Sequence, residues 1–373
     1  MKINPFILTA YHSPEYFCDR AEELKKLLSA IENNRNVVLT SLRRMGKTGL
    51  IKHLEYNIKN KSDINFVYFD IMSTSSMSEF IKMMVDSVFK IQKKDLDSTY
   101  KKFVNIFGIF KPSFSVNPIS GETKFCIELS DKKDEENSIN AMFDYIAKSK
   151  KKFVIAIDEF QQIANYPEKN AEEILRSKIQ MLNNVVFLFS GSSREILRSM
   201  FSHEGRPFYQ SSEFLYLKGI KEIEYSKFII EKFRLSGTTI DSDSVEYILS
   251  LTNNHTYYVQ SLCNRLYSEN YKEIYTEQIN NVFGRLLDEN AYYFENIKQL
   301  LTDLQWKLLR AIAKEGKVKE INSNTFLSKY ALGSSSSVNT AVKSLLKKEL
   351  IYKENDHYFV YDLLFSKWLE KLM

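Results

Sequence analysis

A short polar loop between two apolar segments carries residue types that bind phosphate. Residues 41–48 read Ser-Leu-Arg-Arg-Met-Gly-Lys-Thr, after the apolar run Val37–Thr40 and before a helix-like segment from Leu50. A Gly-Lys-Thr tripeptide alone is weak evidence, but a strand-loop-helix setting lets backbone N–H groups at a helix start converge on an anion. We therefore expect Lys47 to reach terminal phosphates and the Thr48 hydroxyl to hold Mg²⁺.

Two adjacent carboxylates close a second apolar run. Asp158 and Glu159 directly follow Phe153–Ile157. A buried charge is costly unless it has a partner, and Mg²⁺ is such a partner. Asp158 is expected to bind the shell of the ion through water, and Glu159 to orient and deprotonate an attacking water. Ligands of open α/β sheets lie at the carboxyl ends of the strands, so this pair is expected near Lys47.

A third apolar run, Val185–Phe189, ends in small hydroxylated residues, Ser190–Ser193. Ser192 is a candidate to hydrogen-bond the γ-phosphate or the attacking water from the neighbouring strand. Serine and glycine are also favoured in any strand-to-helix turn, so the second interpretation is a structural turn.

The elements that must position these residues show the pattern of an α/β fold. Five apolar runs of strand length alternate with helix-length segments, which indicates a buried parallel sheet with helices on both faces. The runs are Val37–Thr40, Phe66–Ile71, Phe153–Ile157, Val185–Phe189 and Phe214–Leu217. This pattern assigns residues 1–220 to one domain, with a β-hairpin insertion near residues 92–136.

After residue 220 the strand pattern stops. Residues 221–295 have the pattern of several helices joined by short polar turns, which predicts a compact helical subdomain. Residues 296–373 show three helices followed by two short strands about a polar turn. That order is typical of a winged helix-turn-helix domain.

Composition bounds the class of protein. The net charge is +5, from 52 basic and 47 acidic residues, which is too small to indicate a histone-like or membrane-coating protein. The three cysteines have no metal-site spacing, and no apolar run is long enough for a signal peptide or a membrane span. The sequence therefore predicts a cytoplasmic protein without a membrane partner.

The order of the motifs resembles that of the archaeal-type and bacterial AAA+-related ATPases of the STAND class. In that family a P-loop module and a helical lid precede a winged helix. The motifs that carry the resemblance are Phe17–Leu24 before the P-loop, Arg43–Thr48 as the P-loop, Ile157–Phe160 as Walker B, Ser190–Ser193 as the sensor strand and Tyr361–Leu369 as the C-terminal signature helix.

The resemblance implies a P-loop NTPase fold, ATP and Mg²⁺ as cofactors, and ATPase activity. Slow turnover is compatible with this resemblance. ATP is preferred to GTP on the ground of this resemblance alone. The nucleotide-binding residues that it implies are Arg20, Arg43, Arg44, Met45, Gly46, Lys47, Thr48, Gly49 and His255.

The chain departs from the family pattern at three places. Ser41 stands where the loop usually begins with glycine, and a β-carbon there is expected to restrict the backbone. Thr256 replaces the usual proline of the lid motif, next to His255. The arginine common after residues 206–212 is missing, so Arg206 is a candidate γ-phosphate sensor or arginine finger, or a loop residue without a catalytic role.

The winged helix has two possible uses. For duplex DNA, a helix that begins near Ser335 would enter the major groove, while Leu345 and Leu346 belong to the core. The contact residues would be Ser336, Asn339, Lys343, Lys347 and Lys348. The alternative is a protein partner or an autoinhibitory contact, and a homo-oligomer is compatible with either use.

Two functions from different classes remain. One is a Mg²⁺-dependent ATPase that acts as a conformational switch. The other is a DNA-binding or scaffold protein that binds ATP with little turnover. A phosphotransferase is less well supported, because adjacent Asp and Glu suit the activation of water.

Overall fold

The computed structural model describes residues 3–91, 111–116, 123–128 and 132–372. The chain divides into two compact units, Thr9–Ile220 and Met1–Leu8 together with Lys221–Met373. Within the described ranges, no helix combines the length and the apolar character that crossing a membrane requires.

The first unit is an α/β sheet domain, as the apolar pattern predicts. Its elements in chain order are α1 (Ala21–Glu32), β1 (Val37–Thr40), α2 (Lys47–Ile58), β2 (Ile64–Asp70), α3 (Met77–Ile91), β3 (Lys111–Val116), β4 (Thr123–Glu128), α4 (Lys132–Ala147), β5 (Lys152–Asp158), α5 (Ala171–Ile179), β6 (Val185–Gly191), α6 (Arg194–Ser202) and β7 (Glu213–Tyr216). Five of the strands form a parallel sheet in the order β2-β5-β6-β1-β7.

The central strands are apolar throughout because both faces of the sheet are covered. In β5, Phe153, Ile155 and Ile157 face one core, whereas Val154 and Ala156 face the other. The first core includes residues of α3 to α6, and the second includes residues of α1 and α2. This sandwich brings the carboxyl ends of β1, β5 and β6 to one edge, where the predicted site residues follow.

The insertion is described in part. Its two described segments, β3 and β4, pair as antiparallel strands. The rest of the predicted insertion, residues 92–110, 117–122 and 129–131, lies outside the described residues.

The second unit consists mainly of helices. Its elements in chain order are α7 (Glu222–Ser236), β8 (Thr239–Ile240), α8 (Ser242–Leu251), α9 (Thr256–Ser268), β9 (Glu273–Ile274), α10 (Thr276–Gln299), α11 (Asp303–Glu315), α12 (Asn324–Lys329), α13 (Ser335–Lys347), β10 (Ile351–Glu354), β11 (His357–Val360) and α14 (Leu363–Lys371). Residues 3–8 pack with this unit, whereas the sequence pattern groups them with the first. Phe6 is buried, and its ring centroid lies 4.9 Å from that of Phe233.

The last helices and the β10-β11 hairpin have the arrangement of a winged helix. Ser334 caps α13, since its side chain accepts a hydrogen bond from Ser337 N. Phe294 of α10 packs on Phe365 and Trp368 of α14, with ring centroids 5.2 and 5.6 Å away. The sequence-based boundary at residue 295 therefore falls inside a continuous helix that contributes to the winged-helix core.

Candidate functional site

The phosphate-loop motif forms the turn between β1 and α2. Gly46 adopts a left-handed conformation (φ 94°), which glycine accepts without steric cost, and α2 begins at Lys47. A β-carbon at Gly49 would lie 3.3 Å from the Phe17 ring, so the Phe17–Leu24 motif approaches the first turn of α2 closely. The N-terminal end of α2 thus directs its free backbone N–H groups toward the loop.

Ser41 stands at the start of the loop in a backbone conformation that does not require glycine. The non-glycine residue of the loop with a positive φ is Arg44 (60°), and Ser41 is not in that region. Ser41 is buried, with 2% of its surface exposed, and its Oγ donates a hydrogen bond to Leu42 O at 2.7 Å. The demand for a left-handed residue therefore lies at Arg44, three positions further along the loop.

Lys47 is a buried cation at the base of the loop. Only 6% of the residue is exposed, and its Nζ donates a hydrogen bond to Ser41 Oγ at 3.4 Å. Burial lowers the pKa of the ammonium, while the charges of Glu159 and Asp158 oppose this change. A buried ammonium with one long neutral hydrogen bond is poised to bind an anion, which would supply the missing charge.

Asp158 lies at the carboxyl end of β5 and is held by three donors. Its Oδ2 accepts hydrogen bonds from Thr48 Oγ1 (2.8 Å) and Tyr68 OH (3.2 Å), and its Oδ1 accepts one from Glu159 N (3.1 Å). The residue is 2% exposed. Burial, followed by the charges of Asp158 and Asp70, raises the pKa of the Tyr68 hydroxyl, so it stays a donor.

Glu159 and Ser192 also meet, as neighbouring strand ends should. Ser192 Oγ donates a hydrogen bond to Glu159 Oε2 at 3.2 Å, and Gln161 Nε2 donates to the same oxygen. The structure thus brings Lys47, Thr48 and Asp158 together through hydrogen bonds or charge, and joins Ser192 to Glu159.

Sequence reasoning missed two residues of this cluster, Tyr68 and Gln161. Tyr68 lies in β2, whose apolar run predicts only a strand, and Gln161 lies beyond the strand end at Glu159. No local signal marks either residue, because the strand order that brings Tyr68 to Asp158 is not visible in the sequence.

Arg20, for which the resemblance implies nucleotide contact, binds other groups of the protein in this structure. Its guanidinium donates hydrogen bonds to Lys218 O (2.6 Å) and Met45 O (3.1 Å) and pairs with Glu23. Arg20 is 3% exposed, and the Met45 side chain is buried in the core. Arg20 and Met45 therefore support the loop from the protein interior, whereas Arg43 and Arg44 are exposed on it.

Arg206 and His255 have contacts outside this cluster. Arg206 Nη2 pairs with Glu172 Oε1, and its buried Nε has no hydrogen-bond partner among the described residues. Burial raises the pKa of Glu172, and the charge of Arg206 opposes that change. His255 belongs to the second unit, where it precedes α9 and its ring lies 4.7 Å from that of Tyr258.

Some of the candidate DNA-contact residues on the winged helix are exposed, whereas others form hydrogen bonds within the second unit. Helix α13 begins at Ser335, as predicted, and Ser336, Lys343 and Lys347 are exposed on it. Asn339 Oδ1 accepts a hydrogen bond from Asn322 Nδ2 (2.7 Å), and Lys348 Nζ donates one to Leu300 O (2.9 Å). The last two residues therefore also have a structural role inside the second unit.

These contacts bring the start of α2, with the buried Lys47 and the Thr48 hydroxyl, beside the carboxylate pair Asp158 and Glu159. Within the described residues no three acidic, histidine or cysteine side chains form a metal cluster. Such an arrangement suits a cation that binds through one or two protein oxygens and the phosphates of a ligand.

Comparison with known proteins agrees with this arrangement. Residues 17–262 match the family model of an ATPase domain predominantly from Archaea, and residues 292–371 match a probable winged helix domain. Among curated proteins, none matches the chain.

Several solved structures share the fold. The Walker-type ATPase of Pyrococcus abyssi superposes with a TM-score of 0.67 at 16% identity, over 98% of this chain and 99% of that chain. The ORC2 protein of Aeropyrum pernix, in ADPNP-ADP complexes, gives 0.61 at 13% identity over 99% and 96%. The ORC1 protein of Aeropyrum pernix, in complex with DNA, gives 0.52 at 11% identity over 100% and 98%.

The family match covers more than half of the chain, and the parallel sheet, the loop at Gly46 and the strand end at Asp158 have the P-loop NTPase arrangement. The chain belongs to the family of ATPase domains found predominantly in Archaea, and a winged helix domain follows that domain.

Proposed function

We propose that this protein is a Mg²⁺-dependent ATPase that uses ATP binding and hydrolysis as a conformational switch, in the manner of AAA+-related proteins of the STAND class. The observation that carries the proposal is the 2.8 Å hydrogen bond between Thr48 Oγ1 and Asp158 Oδ2, beside the buried Lys47. A hydroxyl and a carboxylate in contact at the phosphate loop support the proposal, because such a pair holds nucleotide-bound Mg²⁺ in P-loop proteins.

Each residue of the cluster has a distinct task in this proposal. The backbone of Gly46 to Gly49 and the Lys47 ammonium bind the phosphates, and Arg43 and Arg44 are exposed near them. Thr48 and Asp158 present hard oxygen ligands that fit Mg²⁺, which would neutralise charge on the phosphates. Glu159 accepts the proton of the attacking water, and Ser192 holds Glu159 from the neighbouring strand.

The second candidate function is ATP binding with little turnover in a DNA-binding or scaffold protein. It is favoured by the pair between Arg206 and Glu172, because an arginine engaged by a carboxylate is not free to stabilise a γ-phosphate. Slow turnover follows unless a second copy of the chain or a partner supplies an arginine. A homo-oligomer in which a neighbouring copy supplies that arginine would therefore fit the first candidate.

The winged helix would couple the nucleotide state to a partner. Duplex DNA is one partner, supported by the exposed Lys343 and Lys347 on α13, and a protein is the other. We place this activity in the cytoplasm, which fits Cys18 and Cys263 as buried cysteines that form no disulfide within the described residues.

The test is Mg²⁺-dependent ATP turnover and ATP binding of the wild-type protein beside Lys47→Ala and Glu159→Gln, with and without duplex DNA. Lys47→Ala should abolish binding, and Glu159→Gln should retain binding while it lowers kcat by about a hundredfold or more. Glu55→Gln, in the last turn of α2, and Lys59→Ala, directly after its end, are matched controls that should leave both binding and turnover unchanged.

The outcomes separate the two candidates. Turnover that both substitutions at the site abolish supports the ATPase, and stimulation by DNA adds a role for the winged helix. Tight binding with negligible turnover supports the second candidate. A wild-type protein that does not bind ATP contradicts both.

A further inference from the structure

The turn after β5 brings Gln161 beside Glu159. Glu159 adopts a left-handed conformation (φ 55°, ψ 39°) and opens the 3₁₀ turn Phe160–Asn165. This conformation is costly for a residue with a side chain, and such strain is concentrated at functional sites. As a result Gln161, two residues later, donates a hydrogen bond from Nε2 to Glu159 Oε2.

Room for the Gln161 side chain depends on glycine in the neighbouring strand. A β-carbon at Gly191 would lie 1.9 Å from Gln161 Oε1 and 3.0 Å from its amide carbon, so any side chain at position 191 would force the Gln161 amide to move. Gly191 does not have a positive φ, so space and not backbone freedom requires glycine there. Gly191, the last residue of β6, therefore leaves space for the Gln161 side chain, and Ser192, the next residue, donates to Glu159.

Gln161 is poorly explained as a stabilising residue. The residue is 8% exposed, and its Oε1 is buried without a hydrogen-bond partner among the described residues. An unpaired buried carbonyl oxygen is destabilising, and an apolar side chain of the same length avoids that penalty. Within the part of the chain that the structure describes, the Gln161 side chain makes one hydrogen bond, the one to Glu159 Oε2.

We propose that Gln161 is a positioning residue for the reaction: it holds Glu159 Oε2, together with Ser192, so that Oε1 is directed to the attacking water. This inference rests on the proposed function, because it assumes that Glu159 accepts the proton. The two donors reach Oε2 from different elements, the 3₁₀ turn and the end of β6, and so fix the carboxylate plane. Without the Gln161 donor the carboxylate can rotate about its side-chain bonds and the oriented state is less populated.

The test is Gln161→Met, which keeps the length of the side chain and removes the donor. We expect kcat for ATP hydrolysis to fall about 10- to 100-fold while KM for Mg-ATP changes less than about twofold. The melting temperature of the nucleotide-free protein should stay constant or rise, because the unpaired Oε1 is removed. Gln162→Met is the matched control: its Nε2 donates to Thr74 O (3.0 Å), away from Glu159, and its kcat should equal that of the wild-type protein.

A second variant and a double-mutant cycle keep the inference testable if Gln161→Met folds poorly. Gln161→Glu has nearly the same volume but places a second acid against Glu159, so kcat should fall at least as far. In a Glu159→Gln background, Gln161→Met should cause no further loss, since the two residues act as one unit. A merely structural role would lower stability, raise KM or reduce kcat in both backgrounds.

The results distinguish this inference from the proposed function. An active wild-type protein whose kcat is unchanged or increased by Gln161→Met overturns the inference and leaves the proposed function intact. Equal loss in both backgrounds also overturns it. A wild-type protein without turnover, or a Glu159→Gln variant with normal turnover, overturns both.

Discussion

The Thr48 hydroxyl lies 2.8 Å from the Asp158 carboxylate and donates a hydrogen bond to it, across 110 residues of sequence. This contact links the first turn of α2 to the end of β5, so the phosphate loop and the carboxylate pair form one site. Its consequences for metal dependence can be measured directly.

Removal of the Thr48 hydroxyl should weaken the binding of Mg²⁺ more than it weakens the binding of the nucleotide. Thr48→Val keeps the side-chain shape but removes the oxygen, so the Mg²⁺ concentration for half-maximal turnover should rise about tenfold or more. Thr48→Ser retains the hydroxyl and is the control. A Mg²⁺ titration of turnover, with ATP binding in the presence of a chelator as reference, gives the comparison. An unchanged titration in Thr48→Val would remove Thr48 from the metal site.

The burial of Lys47 predicts that this residue lowers the stability of the nucleotide-free protein while it allows the protein to bind ATP. Its pKa is lowered from the ordinary value of 10.5, chiefly by burial, so the folded protein releases this proton at a lower pH than the unfolded chain does. The ammonium therefore destabilises the nucleotide-free protein at neutral pH, and this cost disappears as the pH rises through the folded pKa toward 10.5.

Lys47→Met should consequently raise the melting temperature of the nucleotide-free protein by about 2–4 °C at pH 7, for a gain of about 1 kcal/mol. The difference should shrink between the folded pKa and the ordinary value, and ATP should no longer stabilise the variant. Thermal denaturation at pH 7 and near pH 10 checks this. A lower melting temperature at pH 7 would show that attraction by the carboxylates outweighs burial.

The backbone of the loop predicts opposite effects of glycine at two positions. Ser41 lacks a positive φ, so Ser41→Gly should destabilise the protein by about 0.5–1 kcal/mol through the added freedom of the unfolded chain. Arg44 has a φ of 60°, so Arg44→Gly should be neutral or stabilising by up to about 1 kcal/mol. Urea denaturation of both nucleotide-free variants measures the pair. Stabilisation by Ser41→Gly would contradict the described loop geometry.

Substitution of Arg20 should lower the stability of the protein, because its hydrogen bonds join separate segments of the first unit. Arg20→Ala leaves Met45 O and Lys218 O without this donor, so we expect a loss of about 2–3 kcal/mol in the free energy of unfolding. Arg35→Ala is the control, since its pair with Glu213 is exposed and should contribute less than about 1 kcal/mol. Normal stability with weak ATP binding in Arg20→Ala would instead support direct contact with the nucleotide.

The lysines of the winged helix should contribute differently to the binding of DNA, because only some of them are held by other protein groups. If duplex DNA binds there, Lys343→Gln and Lys347→Gln should each lower the slope of log affinity against log salt by about one. Lys348→Gln should change the slope less, because Lys348 is held by Leu300 O. Fluorescence anisotropy of labelled duplex at several salt concentrations makes the measurement. No binding at low salt would favour a protein partner.

Much of the fold follows from local patterns. The runs at Phe153–Ile157 and Val185–Phe189 are continuous and apolar because both faces of each strand are covered, and that requirement is visible in any short window. Gly46 and Lys47 were recognisable for a similar reason, since the loop, the helix start and the lysine are neighbours in the chain.

The contacts that assign roles connect distant segments, and no local pattern specifies them. Tyr68 reaches Asp158 because β2 lies next to β5 in the sheet, and Arg20 reaches Lys218 O across 198 residues. Gln161 is placed by a left-handed turn and by the space over Gly191. The amino-acid sequence thus specifies the strands, the phosphate loop and the carboxylates through local pattern, whereas strand order and packing determine which side chains meet, since hydrogen bonds form only between groups that the folded chain brings within about 3 Å.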